Sequence, residues 1–174
     1  MMWNKVSMRF IKSICSVLLL TTGIMTGISP LHSVHANAVE PTAQVMSSFG
    51  GSSGDGFNSV QQTADGGYIA VGLSYSNNKD MDGLLKGNYD AIIVKYDAGG
   101  NVVWNKTFGG GAQDEFKFVR QTTDGGYIAV GVSRSNDKDM DGLLKGTDDA
   151  IIVKYDANGN VVWNKTFGGD SLDR

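Results

Sequence analysis

Cysteine and histidine are missing from most of this sequence. The chain has one cysteine, Cys15, and two histidines, His32 and His35, and all three fall within the first 38 residues. The rest of the chain therefore cannot form disulfides, thiol nucleophiles, Ser-His-Asp triads or histidine-ligated zinc or copper sites.

Positive charge is also scarce after residue 38. Three of the fifteen basic residues precede that point, whereas all eighteen acidic residues follow it, which leaves a net charge of about −6. Because nucleic acids and anionic membrane surfaces repel such a chain, the charge balance argues against both as partners.

The first 38 residues have the three-part layout of a secretory signal peptide. Three basic residues are followed by a mostly apolar stretch, 14–28, and then by Ala36-Asn37-Ala38, which provides the small residues of a cleavage site. The apolar stretch is short for a bilayer span. We therefore expect cleavage before Val39 and secretion of a chain without a stable membrane span. An uncleaved membrane anchor is the alternative.

Two repeats of 59 residues account for most of the remaining chain. Residues 49–107 align without gaps on 108–166, and 45 of the 59 positions are identical. The motif Phe-Gly-Gly that opens both repeats occurs once more at 167–169. The pattern predicts a linker with an orphan edge strand at 39–48, two repeats, and a truncated third repeat at 167–174.

Each repeat has the periodicity of four short strands separated by turns. In the first repeat the predicted strands are 60–63, 68–73, 91–97 and 102–107. Apolar residues fall on both faces of the two middle strands, as a sheet packed between neighbours requires. We predict an all-β protein of tandem four-stranded antiparallel blades in a β-propeller-like array, incomplete because closed propellers use about four to eight blades. A β-solenoid and an open β-sandwich are the alternatives.

Three sequence blocks recur in both repeats. In the first repeat they are DGGYIAVG at 65–72, DAIIVKYD at 90–97 and NVVWNKTFGG at 101–110. These blocks resemble the propeller-type repeats of secreted and surface proteins of bacteria. More distantly, 97–104 is similar to the tryptophan-docking stretch of quinoprotein-like propellers, in which the tryptophan packs between blades. The resemblance implies a propeller-type fold but no particular activity or cofactor.

An Asp-rich loop lies between the predicted second and third strands of each repeat. DKDMDG at 137–142 matches the opening of a calcium loop, where oxygens at alternate positions converge on one cation. The first repeat has NKDMDG at 78–83. Lysine at the ninth position and the lack of glutamate at the twelfth depart from the EF-hand pattern. The candidate calcium ligands are Asn78, Asp80, Asp82, Asp137, Asp139 and Asp141, and a solvated loop without metal is the alternative.

Most aromatic residues recur in both repeats, which is typical of side chains that pack stacked blades together. Three aromatic residues break the repeat, with a different residue at the matching position of the other copy: Tyr75 (Arg134), Tyr89 (Asp148) and Phe118 (Ser59). We expect these three aromatic side chains to be the ligand contacts.

Several carboxylates could form the acid and base pair of a glycosidase: Asp55, Asp90, Asp114, Glu115 and Asp149. Most of them recur in both repeats, as residues that build the blade do. The sequence therefore favours a secreted, non-catalytic binding protein at or beyond the cell surface, with a carbohydrate or a protein as ligand. A fragment of a carbohydrate-active enzyme is the alternative. Open apolar blade faces also predict self-association.

Overall fold

A computed structural model describes residues 48–170 of the chain. They belong to the second of the two compact units into which the chain divides, Val45–Arg174. The predicted signal peptide and most of the predicted edge strand lie outside the described residues. No helix within 48–170 has the length and apolar character that crossing a membrane requires.

Within the described residues the chain forms eight β-strands. The first repeat contains β1 (Asp55–Gln62), β2 (Tyr68–Ser74), β3 (Asp90–Tyr96) and β4 (Val102–Phe108). The second repeat contains β5 (Asp114–Gln121), β6 (Tyr127–Ser133), β7 (Asp149–Tyr155) and β8 (Val161–Phe167). Each repeat also has a single turn of 3₁₀ helix between its second and third strands, at Lys79–Met81 and Lys138–Met140.

Each repeat folds into its own antiparallel sheet. The strand orders are β1-β2-β3-β4 and β5-β6-β7-β8, so every strand pairs with its neighbour in sequence. The prediction of an all-β chain with four antiparallel strands per repeat is confirmed. Both sheets are open, and they are compatible with blades of an incomplete propeller.

The first strand is longer than the sequence predicts. It begins at Asp55 rather than at Val60, because pairing with β2 holds residues with low strand propensity such as Gly56. Asn58 is the extra residue of a β-bulge between Phe57 and Ser59, which breaks the alternation that identifies a strand. Opposite the bulge, a Cβ atom at Gly72 would lie 1.9 Å from the Gly56 carbonyl oxygen, so this position requires glycine.

The two sheets pack face to face around one buried apolar cluster. The first sheet contributes the face that we call the leading face, with Ile69, Val71, Ala91 and Ile93. The second sheet contributes its opposite face, the trailing face, with Tyr127, Ala129, Ile151 and Val153. Because side chains alternate along a strand, every sheet has one face of each kind. The leading face of the second sheet therefore carries Ile128, Val130, Ala150 and Ile152.

Candidate functional site

A cavity of about 220 Å³ opens beside the start of β5. The two repeats differ at 14 of their 59 aligned positions. Every residue that lines the cavity stands at one of these positions: Tyr89, Gln113, Glu115, Lys117, Val132, Arg134 and Asp148. Only about a quarter of the positions differ between the repeats, yet these positions supply all the lining residues of the cavity.

The cavity lies where the chain passes from one repeat to the next. Tyr89, just before β3, forms a parallel bridge with Gln113, just before β5. The backbone N–H of Asp114 donates to the Tyr89 carbonyl oxygen at 3.0 Å. On the other side of β5, the N–H of Arg134 donates to the Gln113 carbonyl oxygen, also at 3.0 Å. These backbone contacts bring side chains from both repeats to one place.

Charged residues around the cavity are paired. Arg134 makes a bidentate contact with Asp148, with Nε to Oδ1 at 2.6 Å and Nη2 to Oδ2 at 3.0 Å. The Asp148 side chain is only 5% exposed, and its hydrogen bond raises the pKa of Arg134 above the usual range. Lys117 Nζ lies 2.6 Å from Glu115 Oε2, and the Asn58 amide of the first repeat donates to Glu115 Oε1 at 2.7 Å. The cavity is therefore surrounded by hydrogen-bonding groups, and each positive charge lies next to a negative one.

Two of the three predicted aromatic contacts lie together. The rings of Tyr75 and Tyr89 have centroids 4.7 Å apart at an angle of 52°. Tyr75 is 43% exposed, and burial raises the pKa of Tyr89. Phe118 does not line the cavity; it is 67% exposed and borders an apolar groove on the leading face of the second sheet, together with Phe167. Ligand contact by these three residues stays a prediction.

The cavity also includes residues that the sequence does not single out. In the alignment of the two repeats, Arg134 and Asp148 stand at the positions of Tyr75 and Tyr89, but the alignment does not show that Arg134 and Asp148 form an ion pair. Gln113 and Lys117 are not identified at all. The signal that would have found them is the complete set of positions at which the two repeats differ.

Four of the six candidate calcium ligands accept a hydrogen bond from the backbone of the glycine-rich segment that precedes the first strand of their repeat. Asn78 Oδ1 accepts from the Ser52 N–H at 2.9 Å, and Asp80 Oδ2 accepts from the Gly50 N–H at 3.0 Å. In the second repeat the corresponding bonds run to Asp137 Oδ1 from Gly111 at 2.6 Å and to Asp139 Oδ2 from Gly109 at 3.1 Å. These side chains hold the segment that leads into the first strand of each repeat.

The remaining two loop residues, Asp82 and Asp141, are exposed and follow the 3₁₀ turns. Across residues 48–170, no three or more acidic, histidine or cysteine side chains form a group that could hold a metal ion. Asp139 also pairs with Lys86 Nζ at 2.5 Å. Four of the six candidate ligands thus direct one oxygen at a backbone N–H, and Asp139 also accepts from an ammonium group. Calcium binding at the six candidate ligands stays a prediction.

Two of the carboxylates considered for catalysis hold the first strands in place. Asp114 accepts hydrogen bonds from the Gly110 N–H at 2.9 Å, the Ser135 hydroxyl at 2.7 Å and the Ser133 hydroxyl. Asp55 makes the equivalent contacts in the first repeat. Burial raises the pKa of Asp55, but hydrogen bonds from Ser74, Gly51 and Ser76 outweigh it and lower the pKa.

The other carboxylates differ in their access to solvent. Asp90 and Asp149 are fully buried. In each, Oδ2 accepts a backbone N–H, whereas Oδ1 has no hydrogen-bond partner within residues 48–170. Burial raises the pKa of Asp90 to about 6. Of the five carboxylates, only Glu115 lines the cavity, where Lys117 pairs with it.

No protein-family model matches the chain, and no curated protein sequence is significantly similar to it. Function is therefore inferred from the residues around the cavity themselves.

Proposed function

We propose that this chain is a secreted, non-catalytic binding protein whose ligand occupies the cavity beside Tyr89. The observation that carries this proposal is the lining of the cavity, because all of its residues stand where the repeats differ. In an array of stacked blades, the side chains that pack one blade on the next meet a similar blade each time, so they tend to recur from repeat to repeat. A side chain that contacts a ligand at one place in the array is free of that constraint.

The chemistry of the cavity favours a carbohydrate. The paired rings of Tyr75 and Tyr89 offer apolar surface on which a sugar ring stacks, and tyrosine combines such surface with a polar hydroxyl. Beside them, the pairs Arg134–Asp148 and Glu115–Lys117 present donors and acceptors for sugar hydroxyls without a large excess of charge. The lining is mainly polar, with Tyr89 and Val132 as its apolar part, and converging donors and acceptors of this kind fix the orientation of a small ligand.

The size of the cavity limits what can enter it. Its volume of about 220 Å³ lies below the roughly 300–1,000 Å³ of sites that enclose drug-sized ligands. We expect it to take a single sugar unit of a longer glycan. The glycan chain would then continue along the exposed edge of the blades.

A binding role is preferred to an enzymatic one because of the state of the carboxylates. Glycoside hydrolysis requires one carboxyl group that donates a proton and a second that acts as base or nucleophile. The two carboxylates that line the cavity, Glu115 and Asp148, are both ion-paired with basic side chains. Secretion is supported by the signal-type segment in the first 38 residues.

A glycan array probed with the purified chain tests the proposal. We expect binding to a restricted set of glycans, and Tyr89→Ala should weaken it at least about tenfold, as loss of a central aromatic contact does. Val103→Ala is the matched control, because Val103 is 58% exposed and does not line the cavity. Retention of full affinity by Tyr89→Ala, or binding to no glycan, would contradict the proposal.

The same glycans, incubated with the chain and analysed by chromatography, separate binding from catalysis. We expect every bound glycan to be recovered intact. Release of shorter products at a rate proportional to the concentration of the chain would establish the carbohydrate-active enzyme instead. A protein ligand would be indicated by saturable binding to a purified protein that carries no glycan.

A further inference from the structure

A tryptophan of the first repeat contacts the second repeat at the joint between them. Trp104 of β4 reaches over the second sheet, where its indole N–H donates to the Ala157 carbonyl oxygen at 3.3 Å. Its ring meets Tyr127 edge to face, with centroids 5.8 Å apart. A Cβ atom at Gly159 would lie 2.9 Å from Trp104 Cε3, so the indole fills the space that glycine leaves open.

An ion pair connects the same two repeats at another point. Lys86 Nζ lies 2.5 Å from Asp139 Oδ2 and also donates to the Thr107 carbonyl oxygen at 3.0 Å. The joint therefore has two halves. The first repeat contributes a donor half, consisting of Trp104, Lys86 and the leading face. The second repeat contributes an acceptor half, consisting of Tyr127, Gly159, Asp139 and the trailing face.

The second repeat carries the same donor residues on its own leading face, where they are exposed. Trp163, the counterpart of Trp104, is 40% exposed. Phe167 is 80% exposed, whereas its counterpart Phe108 is 1% exposed in the joint. Phe118, Phe167, Val130 and Ile152 border an apolar groove along this leading face. Lys145, the counterpart of Lys86, has an exposed side chain.

A second acceptor half is present on the first repeat. Tyr68 is 41% exposed, whereas its counterpart Tyr127 is 2% exposed. Among the described residues, no atom other than those of the adjacent residues lies within 4 Å of the position that a Cβ would take at Gly100, the counterpart of Gly159. Residues 48–170 thus leave open the place that an indole would fill. Asp80, the counterpart of Asp139, is exposed. Ala70, Ile92 and Val94 at the centre of this face are buried. Phe49 packs against Phe57 with ring centroids 5.7 Å apart, as Phe108 packs against Phe116 at 5.9 Å in the joint. Docking therefore requires that this face be uncovered and that Phe49 give up its place to Phe167 of the other copy.

We propose that a second copy of this chain docks its first repeat onto the second repeat of the first copy, and that this contact reproduces the internal joint. The repeats are identical at 45 of 59 positions, and those positions include the tryptophan, tyrosine, glycine, lysine and aspartate of the joint. Lys145 of one copy then meets Asp80 of the next, with opposite charges. Such a contact is heterologous, so it produces a ring or an open array according to the angle between blades.

Sedimentation velocity over a range of concentrations tests whether the purified chain associates. We expect the average mass to rise with concentration, and Trp163→Ala should raise the dissociation constant at least about tenfold, as truncation of an interface tryptophan does. Because Trp163 is exposed within one chain, this variant should unfold at the same denaturant concentration as the unmodified chain. A chain that stays monomeric at all concentrations, or a Trp163→Ala variant that associates normally, would overturn the proposal.

Charge reversal tests the head-to-tail geometry independently of the tryptophan. Lys145→Glu alone places two carboxylates at the contact, and Asp80→Lys alone places two ammonium groups there, so each variant should associate more weakly. When the two variants are mixed, every contact between unlike chains again has opposite charges, and association should return. Circular dichroism of each variant should match that of the unmodified chain, which checks that both variants are folded. Weak association of the mixture would overturn the head-to-tail arrangement.

Discussion

The two repeats form the same sheet but have different surroundings. Phe108, at the end of β4, is 1% exposed, while Phe167, at the same position of β8, is 80% exposed. Tyr127 is 2% exposed and its counterpart Tyr68 is 41% exposed. Since the local sequence is almost the same, the neighbouring sheet causes the difference. The comparison shows that the strands are specified within one repeat, whereas the core is formed between repeats.

The largest effect is expected when the same apolar residue is removed from each repeat. Phe108→Ala should reduce the free energy of unfolding by about 3–5 kcal/mol, because it empties a fully buried site between Phe116 and the leading face. Phe167→Ala should change it by less than about 0.5 kcal/mol, as exposed substitutions do. Urea titration followed by circular dichroism measures both values.

These titrations need a low protein concentration, at which the chain is monomeric. In a head-to-tail assembly Phe167 would itself become buried, and the contrast with Phe108 would shrink as the concentration rises. Equal losses for the two variants at the lowest concentration would mean that the second repeat is covered within a single chain.

The buried carboxylate Asp90 should make stability depend on pH. Burial raises its pKa from 3.8 to about 6; Lys86 opposes this shift and the Asp114 charge adds to it. Between about pH 4 and pH 6 the unfolded chain has lost this proton while the folded chain keeps it, so the free energy of unfolding falls as pH rises through this range. The expected contribution is about 1–3 kcal/mol.

Asp90→Asn should remove this part of the pH dependence, because the amide has no proton to lose. Denaturant titrations at half-unit steps from pH 4 to pH 7 measure the slope. Asp149→Asn is the matched variant in the second repeat. If Asp149→Asn removed the slope and Asp90→Asn left it unchanged, the assignment to Asp90 would be wrong.

A smaller effect should separate two glycines that have the same backbone conformation. Gly159 and Gly100 have φ angles of +79° and +83°, so alanine is strained to a similar degree at both. Only at Gly159 does the added methyl group meet the Trp104 ring. Gly159→Ala should therefore cost about 1–2 kcal/mol more than Gly100→Ala, as overpacking does. Equal costs in thermal unfolding would show that Trp104 moves away freely.

The sequence predicts the strands well where a turn fixes their first residue. The predicted segments 68–73 and 102–107 match β2 and β4 to within one residue, because in both a run rich in β-branched and aromatic residues begins directly after a glycine-containing turn. The predicted 60–63 misses the first half of β1, where Gly56 and the bulged Asn58 conceal the alternation. This half of β1 is extended because it pairs with β2, since its own residues have little preference for a strand.

The candidate site is only partly readable from the sequence. Tyr75 and Tyr89 stand out because they break the repeat, yet their contact depends on the loop that brings the end of β2 back to the start of β3. The aspartate loops illustrate the opposite case. Their spacing fits a cation, but the hydrogen-bond donors that Asn78 and Asp80 meet are 26 and 30 residues away in sequence. Local spacing cannot reveal partners at that separation.

The smallest net effect is expected from exchanging the pairs that distinguish the repeats. The rings of Tyr75 and Tyr89 pack against each other at an angle of 52° in the first repeat, and Arg134 and Asp148 form an ion pair at the same positions of the second. An aromatic pair contributes about 0.5–1.5 kcal/mol, and a partly exposed ion pair contributes about 0–1 kcal/mol. Because these contributions are similar, replacing one whole pair by the other should change the free energy of unfolding little, whereas replacing one residue alone leaves it with a mismatched partner.

The double variant Arg134→Tyr with Asp148→Tyr should consequently unfold within about 1 kcal/mol of the unmodified chain, and each single substitution should cost about 1 kcal/mol more than the double. A single Arg134→Tyr removes the guanidinium from a carboxylate that is only 5% exposed, and a single Asp148→Tyr leaves the guanidinium beside a ring that replaces its carboxylate. A double-mutant cycle by urea denaturation measures the coupling. If the cost of the double variant equalled the sum of the two single costs, the positions would act independently, and the differences between the repeats would not be compensating pairs.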